Sequence, residues 1–355
     1  MKKFFLFAAM AGVALTGCVK TESEVAVKSD SNRIVFDSPV VSSVTRALID
    51  GTEYPDNVPF SVYAQYKNDD TGEDLLYMEN VTTQHVTSTP GTNQESWIPD
   101  GNYYWPKQGT LSFAAYSPAA AQDAFTSVAW TDAAGFTFTG FNAVTNNDAT
   151  KLYDLMYSDY VARQTQANEQ DQNPGKYYGI QLTFRHALSA LVFNAKTEED
   201  YGADAVIKIT NIEVLKPVGS GDLSVTNGTG SRANWTPGAD VASMAVTGVT
   251  GATQLTNTEV PQGNEMLMVP QTFDGDVKVK ITYTMQMATS AAPVTHTYVV
   301  ALNTLNESDG ASSTTHDGWD ASRRYTYNII IGLDRIYFAP TVEDWTDITV
   351  TGTIE

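Results

Sequence analysis

Short segments with the composition of β-strands follow one another along most of the chain, and this pattern constrains the fold more than any other feature. They are rich in Val, Ile, Thr, Tyr and Phe and are separated by Gly, Asn, Asp and Pro, with almost no helical periodicity. Clear cases are residues 60–66, 110–116, 182–184, 190–193, 205–209, 277–281, 298–300 and 325–329. Since such residues favour strands and their separators favour turns, the pattern predicts an all-β protein built from antiparallel sandwiches.

The length of the chain and one polar stretch indicate where it divides. A chain of 355 residues is too long for one ordinary β-sandwich and suits two domains. Residues 163–176 are nearly free of large apolar side chains, and we interpret them as a junction, with a long loop as the alternative. The predicted domains cover residues 47–178 and 179–355. Residues 303–320, rich in Ser, Thr, Asp and Gly, are expected to form a loop, and the alanines of residues 118–123 a few helical turns.

The N-terminus has the pattern of a bacterial lipoprotein precursor. Two lysines follow the first Met, and residues 4–15 form an apolar stretch too short for a stable membrane span. Residues 15–18 (LTGC) match a lipobox, so residues 1–17 are predicted to be a signal peptide and Cys18 the acylated residue, with palmitate as one candidate acyl group. The alternative is a chance cysteine after an ordinary signal peptide. Cys18 is the only cysteine, which excludes a disulfide within the chain.

The net charge of the chain excludes one class of partner. Acidic residues number 41 and basic residues 21, which gives a formal charge of −20. Such a field repels nucleic acid phosphates and anionic lipid headgroups. We therefore expect no nucleic acid partner and interpret the acidic surface as one that keeps an exported protein soluble.

No set of residues has the spacing of a catalytic, metal or cofactor site. The four histidines, His85, His186, His296 and His316, are scattered, and His186 is expected to be a packed or interface residue. Residues 69–74 and 274–276 form acidic turns that could hold Ca²⁺, but solvated loops are the favoured interpretation. Trp97, Trp105, Trp235, Trp319 and Tyr104 could stack on a sugar, but at this density aromatic residues are more often core. We predict no enzyme, no metal and no cofactor.

Several sequence phrases, in a shared order, resemble the fimbrillin family, the subunits of type V pili in Gram-negative gut and oral bacteria. They are residues 103–106, 111–118, 154–157, 182–188, 212–215, 268–271, 325–329 and 342–345. The resemblance implies two transthyretin-like antiparallel β-sandwich domains in tandem and a structural subunit of a pilus (fimbria) at the cell outer membrane and surface. The implied partners are copies of the chain in a head-to-tail filament, other pilus subunits such as an anchor and a tip, and the outer membrane through the lipid.

The resemblance also implies proteolytic processing at an arginine of the leader. Arg46, followed by Ala47, fits this pattern. Arg33 is the other arginine of the leader, but cleavage there would leave an apolar segment around Val40 attached. We therefore predict that residues 18–46 are a leader removed on maturation, with an ordinary exposed arginine at position 46 as the alternative.

The last residues of the chain alternate like a strand that could enter another subunit. One face of residues 347–355 carries Ile348, Val350, Gly352 and Ile354, and the other face carries threonines. We predict that the leader, through residues 34–41, fills a groove in the precursor and that a neighbour's tail replaces it after cleavage. The alternatives are a tail that completes its own domain, and a pilus tip, an accessory subunit or a free surface lipoprotein that binds glycan or host protein.

Overall fold

The computed structural model describes residues 32–41, 54–87, 95–148, 151–166, 179–228, 233–308 and 313–344. Nearly all of the regular secondary structure in these residues consists of β-strands, which confirms the all-β prediction. None of the helices in these ranges is long and apolar enough to cross a membrane.

The described residues form 25 strands and three short helical segments. The strands of the first half are β1 (Val40–Val41), β2 (Phe60–Asn68), β3 (Glu73–Val86), β4 (Ser96–Pro99), β5 (Thr110–Ser117), β6 (Ser127–Thr131), β7 (Gly135–Asn142), β8 (Met156–Ser158), β9 (Val161–Gln164), β10 (Thr183–His186), β11 (Ser189–Thr197) and β12 (Ala205–Leu215). The remaining strands are β13 (Ser220–Val225), β14 (Asn234–Pro237), β15 (Ser243–Ala245), β16 (Val260–Pro261), β17 (Met266–Met268), β18 (Gln271–Thr272), β19 (Lys278–Met287), β20 (Val294–Ala301), β21 (Asn306–Ser308), β22 (Ser313–Thr315), β23 (Gly318–Trp319), β24 (Arg323–Ile331) and β25 (Ile336–Asp344). The helical segments are α1 (Ala143–Asn146) and two 3-10 helices, Ala119–Ala124 and Leu302–Thr304.

The N-terminal sheet has the strand order β1-β10-β8-β5-β2-β3-β4, with β9 beside β5. All neighbours are antiparallel except β1 and β10. In β2, Phe60, Val62 and Ala64 face one hydrophobic core while Tyr63 faces a second, larger core. Since successive side chains of a strand point to opposite faces, β2 is apolar on both sides and is buried nearly throughout its first half.

Three further sheets and two short strand pairs surround the larger core. Their orders are β16-β11-β24-β25 with β17 beside β11, β15-β12-β19-β20, β14-β13-β7-β6, β18-β23 and β21-β22. Most pairs are antiparallel, as predicted, but β11 and β24 are parallel over nine residue pairs. A bulge between Ile209 and Asn211 shifts the alternation of β12. Because a bulge adds one residue, Ile207 and Ile209 before it and Ile212 and Val214 after it all face the core.

The larger core contains residues from both sides of the predicted domain boundary. Phe138 of β7 lies opposite Leu223 of β13, and both side chains belong to this core. Most of the predicted junction lies outside the described residues. The tandem division at residues 178 and 179 therefore stays a prediction, and β6 and β7 pack with the C-terminal strands.

Local structure agrees with the sequence at residues 118–123 and differs at residues 303–320. The alanine cluster forms the predicted helical turn, a 3-10 helix. The expected loop is wrong in part, because its described residues include the pair β21–β22 and the short strand β23. His316 and Trp319 from this stretch are buried and both contact the Tyr327 hydroxyl at 2.7 Å. These tertiary contacts hold a polar segment in regular structure, which its composition does not indicate.

Candidate functional site: a slot filled by residues 32–41

The N-terminal sheet has a gap between its two ends, and residues 32–41 lie in this gap. We call residues 32–41 the leader segment and the gap the slot. One side of the slot is β4 with the nearby residues 103–105, and the other side is the chain from Ile180 into β10. The leader segment is antiparallel to the first side and parallel to the second. It therefore joins two edges that otherwise do not meet.

Backbone hydrogen bonds tie the leader segment to the β4 side. The amide of Phe36 donates to the Trp97 carbonyl at 2.9 Å, and the amide of Trp97 donates back to the Phe36 carbonyl at 2.8 Å. The amide of Ile34 donates to the Tyr103 carbonyl at 2.9 Å, and the Trp105 amide to the Asn32 carbonyl at 2.9 Å. This is the hydrogen bonding of a strand pair.

A second set of backbone hydrogen bonds ties the same segment to the β10 side. The amide of Ile180 donates to the Val35 carbonyl at 3.0 Å, and the amide of Asp37 donates to the Ile180 carbonyl at 3.0 Å. The Val40 amide donates to the Leu182 carbonyl at 2.9 Å. Without the leader segment, the partners on both sides of the slot would lose these bonds, and buried unpaired backbone groups are costly.

Glycine permits the close approach on the β10 side. Gly179 has a φ of +136°, and a Cβ atom there would lie 2.5 Å from the Val35 carbonyl oxygen and 2.7 Å from the Phe36 carbonyl carbon. Any other residue would collide with the backbone of the leader segment, so this position is shaped by the presence of a strand in the slot.

Side chains of the leader segment complete the core of the N-terminal sheet. Ile34, Phe36 and Val41 are all 0% exposed. The Phe36 ring meets the Phe60 and Phe113 rings edge-on, with centroids 5.9 Å and 5.6 Å apart. Such pairs add to the stabilisation from burial. The leader segment is thus part of a hydrophobic core and not only an added edge strand.

Tyr54, the first described residue after the leader, closes the same aromatic cluster. Its ring stacks on Phe184 with centroids 5.2 Å apart and lies edge-on to Trp97 at 5.2 Å. Its hydroxyl shares a 2.5 Å hydrogen bond with the Ser117 hydroxyl. Burial raises the pKa of Tyr54, the negative charge of Asp154 raises it further, and the bond to Ser117 opposes this shift. The Tyr54 hydroxyl is therefore neutral at physiological pH.

Arg33 is held at the entrance of the slot. One of its terminal guanidinium nitrogens donates to the Gly101 carbonyl at 2.8 Å, and its backbone forms a bridge with Tyr104. The Asn32 side-chain amide donates to the Trp105 carbonyl at 3.3 Å. The peptide bond between Arg33 and Ile34 therefore lies within a hydrogen-bonded ladder.

The other predicted site residues lie outside the described residues. They are the lipidation residue Cys18, the processing residues Arg46 and Ala47, and the donor-strand residues Ile348, Val350, Gly352 and Ile354. Their predicted roles stay predictions. Of the predicted machinery, the described residues include the leader stretch 34–41, which occupies the slot.

The described histidines that are most deeply buried have structural partners. His186 and Asp154 form a buried pair at 2.9 Å, and His316 bonds to the Tyr327 hydroxyl. His186 is thus a packed residue, one of the two roles expected for it. No group of three or more His, Cys, Asp or Glu residues among those described could hold a metal ion.

The tryptophans are mainly core residues, as predicted. Trp97, Trp105 and Trp319 are at most 3% exposed. Trp235 is partly buried, and its indole nitrogen donates to the Ala187 carbonyl at 2.7 Å. The first three therefore cannot offer their faces to a sugar.

The residues that form the two sides of the slot could not be predicted from the sequence. Trp97, Tyr103 and Ile180 come from separate parts of the chain, and a single sequence does not show which edges lie beside each other. Two signals were present in the sequence: the phrase YYWP at residues 103–106, and Gly179 immediately before the alternating apolar residues of 180–184.

Comparison with known proteins gives one family match and several similar folds. A family model described as fimbrillin-like matches residues 45–345. A fimbrial protein from Bacteroides vulgatus has a TM-score of 0.51 and 16% identity, with 87% of this chain and 100% of that chain covered. A candidate cell adhesion protein from Bacteroides uniformis has a TM-score of 0.49 and 17% identity, with 88% and 99% covered. The tip fimbrial protein Mfa3 from Porphyromonas gingivalis, with a C-terminal truncation, has a TM-score of 0.37 and 12% identity, with 88% and 99% covered. No curated protein matches the sequence.

Proposed function

The chain belongs to the fimbrillin-like family and is therefore a pilus-related surface protein and not an enzyme, and on this premise we propose that it is a structural subunit of a pilus that assembles by strand exchange. In this proposal the chain is exported as a lipoprotein precursor with Cys18 acylated and held at the outer membrane. Its leader is then cut and replaced by a strand of a neighbouring subunit.

The observation that carries the proposal is the leader segment in the slot. Its backbone bonds to both sides of the slot and its side chains belong to the core. Removal would leave two strand edges and an apolar cavity open to water, and such edges bind other extended chains. A strand from a second subunit would restore both the ladder and the core by β-augmentation.

The tail of a neighbour is the proposed replacement. The described part of β25 ends at Asp344, and β25 is an edge strand of its sheet. The residues that follow contain Ile348, Val350, Gly352 and Ile354 at alternate positions. A contact from the tail of one subunit to the slot of the next joins different surfaces and does not close, so its repetition gives a filament. The simplest neighbour is another copy of the chain, and anchor and tip subunits would end the filament.

Cleavage is the step that allows a neighbour's tail to replace the leader. While the leader is covalently attached, its effective concentration at the slot is high, on the order of millimolar or more for short tethers. After cleavage between Arg46 and Ala47 the leader can diffuse away. The tail would bury three aliphatic side chains, each contributing about 1.5–3 kcal/mol, and form ladder hydrogen bonds of about 0.5–1.5 kcal/mol each.

N-terminal sequencing of purified fibres, combined with electron microscopy of the cell surface, tests the proposal. The fibres should contain chains that begin at Ala47. The Arg46→Gln variant should keep its leader, remain at the membrane and form no fibres, because the slot stays filled. Chains in fibres that begin at Cys18 would overturn the proposal and indicate an uncut anchor or a free surface lipoprotein.

A further inference from the structure

One position in the slot is built around an aromatic ring. The Phe36 side chain is 0% exposed and meets Phe60 and Phe113 edge-on, with interplanar angles of 87° and 90°. Phe60 in turn packs on Trp97 and Phe184. Edge-on contacts need a planar ring at this place, and a smaller aliphatic side chain cannot reproduce them.

The ladder on both sides fixes which residue of an incoming strand reaches that position. Bonds from Ile34 and Phe36 to the β4 side, and from Val35 and Asp37 to the β10 side, set the register residue by residue. Since side chains alternate, the residue two places before the Phe36 position occupies the Ile34 position, which is also fully buried. The slot therefore accepts an aliphatic residue and an aromatic residue two places apart.

Residues 346–355 of this chain include no aromatic residue. They read TDITVTGTIE. The apolar face of this tail would bring Val350, Gly352 or Ile354 to the Phe36 position, depending on the register. Trp345 does not supply the required pair, because the residue two places before it is Glu343, which is charged and lies opposite Arg324 in the pairing of β24 with β25.

A small residue at the Phe36 position leaves part of the ring volume empty. The lining atoms then lose their contacts, and an apolar cavity of this kind is not filled by water. We propose that the slot binds most tightly the donor strand of a different subunit, one that carries an aromatic residue two places from an aliphatic residue, and that it binds the tail of a second copy less tightly. This inference rests on the proposed strand exchange and identifies the class of neighbour.

A peptide displacement experiment on the whole precursor tests the inference. The folded full-length protein is cut with an arginine-specific protease so that the leader remains bound without a covalent link. Synthetic peptides are then added, and native mass spectrometry measures how much leader they displace. The peptides are residues 32–41, residues 346–355, and three variants of the latter with Val350→Phe, Gly352→Phe or Ile354→Phe. The matched control peptide carries Thr351→Phe, which places the same ring on the opposite face.

The expected result is that at least one of the three variants displaces the leader at a concentration lower by about tenfold or more than the native tail, a difference of about 1.4 kcal/mol. The Thr351→Phe control should gain nothing. If the native tail displaces the leader as well as the best variant does, the inference is overturned and exchange between copies is supported. If no peptide exchanges, not even residues 32–41, the proposed strand exchange itself is overturned.

Discussion

Phe36 belongs to the leader, but its side chain is fully buried in the slot and packs against Phe60 and Phe113. Replacing a buried Phe with Ala removes apolar burial and leaves a cavity, which typically costs about 3–5 kcal/mol. We therefore expect Phe36→Ala to lower the free energy of unfolding of the full-length precursor by about this amount, measured by urea denaturation. Val299→Ala is the control, because Val299 is 46% exposed and such changes stay within about 0.5 kcal/mol. Equal stability of the two variants would show that the leader segment is not part of the core.

Tyr54 gives the precursor a predictable response to alkaline pH. Its pKa is raised above the ordinary value of 10.0, mainly by burial, so the folded state disfavours the ionised form. The contribution of Tyr54 to the free energy of unfolding is fully present below pH 10. As the pH rises above 10 this contribution is lost by up to about 1.4 kcal/mol per pH unit, because the unfolded chain ionises there and the folded chain does not. The free energy of unfolding of Tyr54→Phe should fall less steeply between pH 10 and 11 than that of the unaltered protein. At pH 7 the variant lacks the hydrogen bond to Ser117, worth about 0.5–1.5 kcal/mol. Equal slopes of the free energy of unfolding against pH for the two proteins would contradict the raised pKa of Tyr54.

At the scale of elements, the leader segment should shield one of the two leader arginines from proteolysis. The Ile34 amide and the Arg33 side chain are both hydrogen-bonded within the slot, and a protease needs an accessible, locally open segment. An arginine-specific protease should leave the bond between Arg33 and Ile34 intact in the folded precursor and cut it after denaturation. Mass spectrometry of the fragments decides this, and a fragment that begins at Ile34 under native conditions would refute the expectation.

The C-terminal tail is the second element whose role can be separated by substitution. In the double variant Ile348→Asp with Val350→Asp, charges on the apolar face would be costly in a slot. If the tail is a donor strand, the precursor should keep its melting temperature, be cut normally and fail to polymerise. Mixed with unaltered chains, it should shorten the fibres, because it accepts a tail but cannot donate one.

The matched control for this experiment places the same charges on the opposite face. Thr349→Asp with Thr351→Asp should leave fibre length close to that of the unaltered chain. A large loss of melting temperature in the first double variant would instead show that the tail completes its own sandwich.

At the scale of the whole molecule, alternation along the sequence predicts strands well and their neighbours poorly. All eight of the clearest strand-like segments overlap observed strands, from β2 to β24, because each contains its own apolar pattern. The parallel pairing of β11 with β24 joins residues more than a hundred positions apart. The slot also depends on contacts between residues far apart in the sequence, since residues near 36, 97 and 180 meet there. Such contacts depend on the packing of whole sheets, which no local pattern encodes.

The core that β7 shares with β13 shows a related limit. A polar stretch near the middle of the chain predicts a division at residues 178 and 179, but Phe136 and Phe138 pack with side chains beyond it. Composition locates loops but does not indicate which strands share a core, and the division into two domains stays a prediction.

The leader segment that joins both sides of the slot also has a consequence for the timing of assembly. A chain that supplies its own filler presents no open edge at this place, and so it can fold alone and stay monomeric even when crowded with its copies. Under the proposed strand exchange, the rate of fibre growth would be set by the protease that cuts the leader and not by the concentration of subunits. A cell could then accumulate the precursor and start assembly by cutting it.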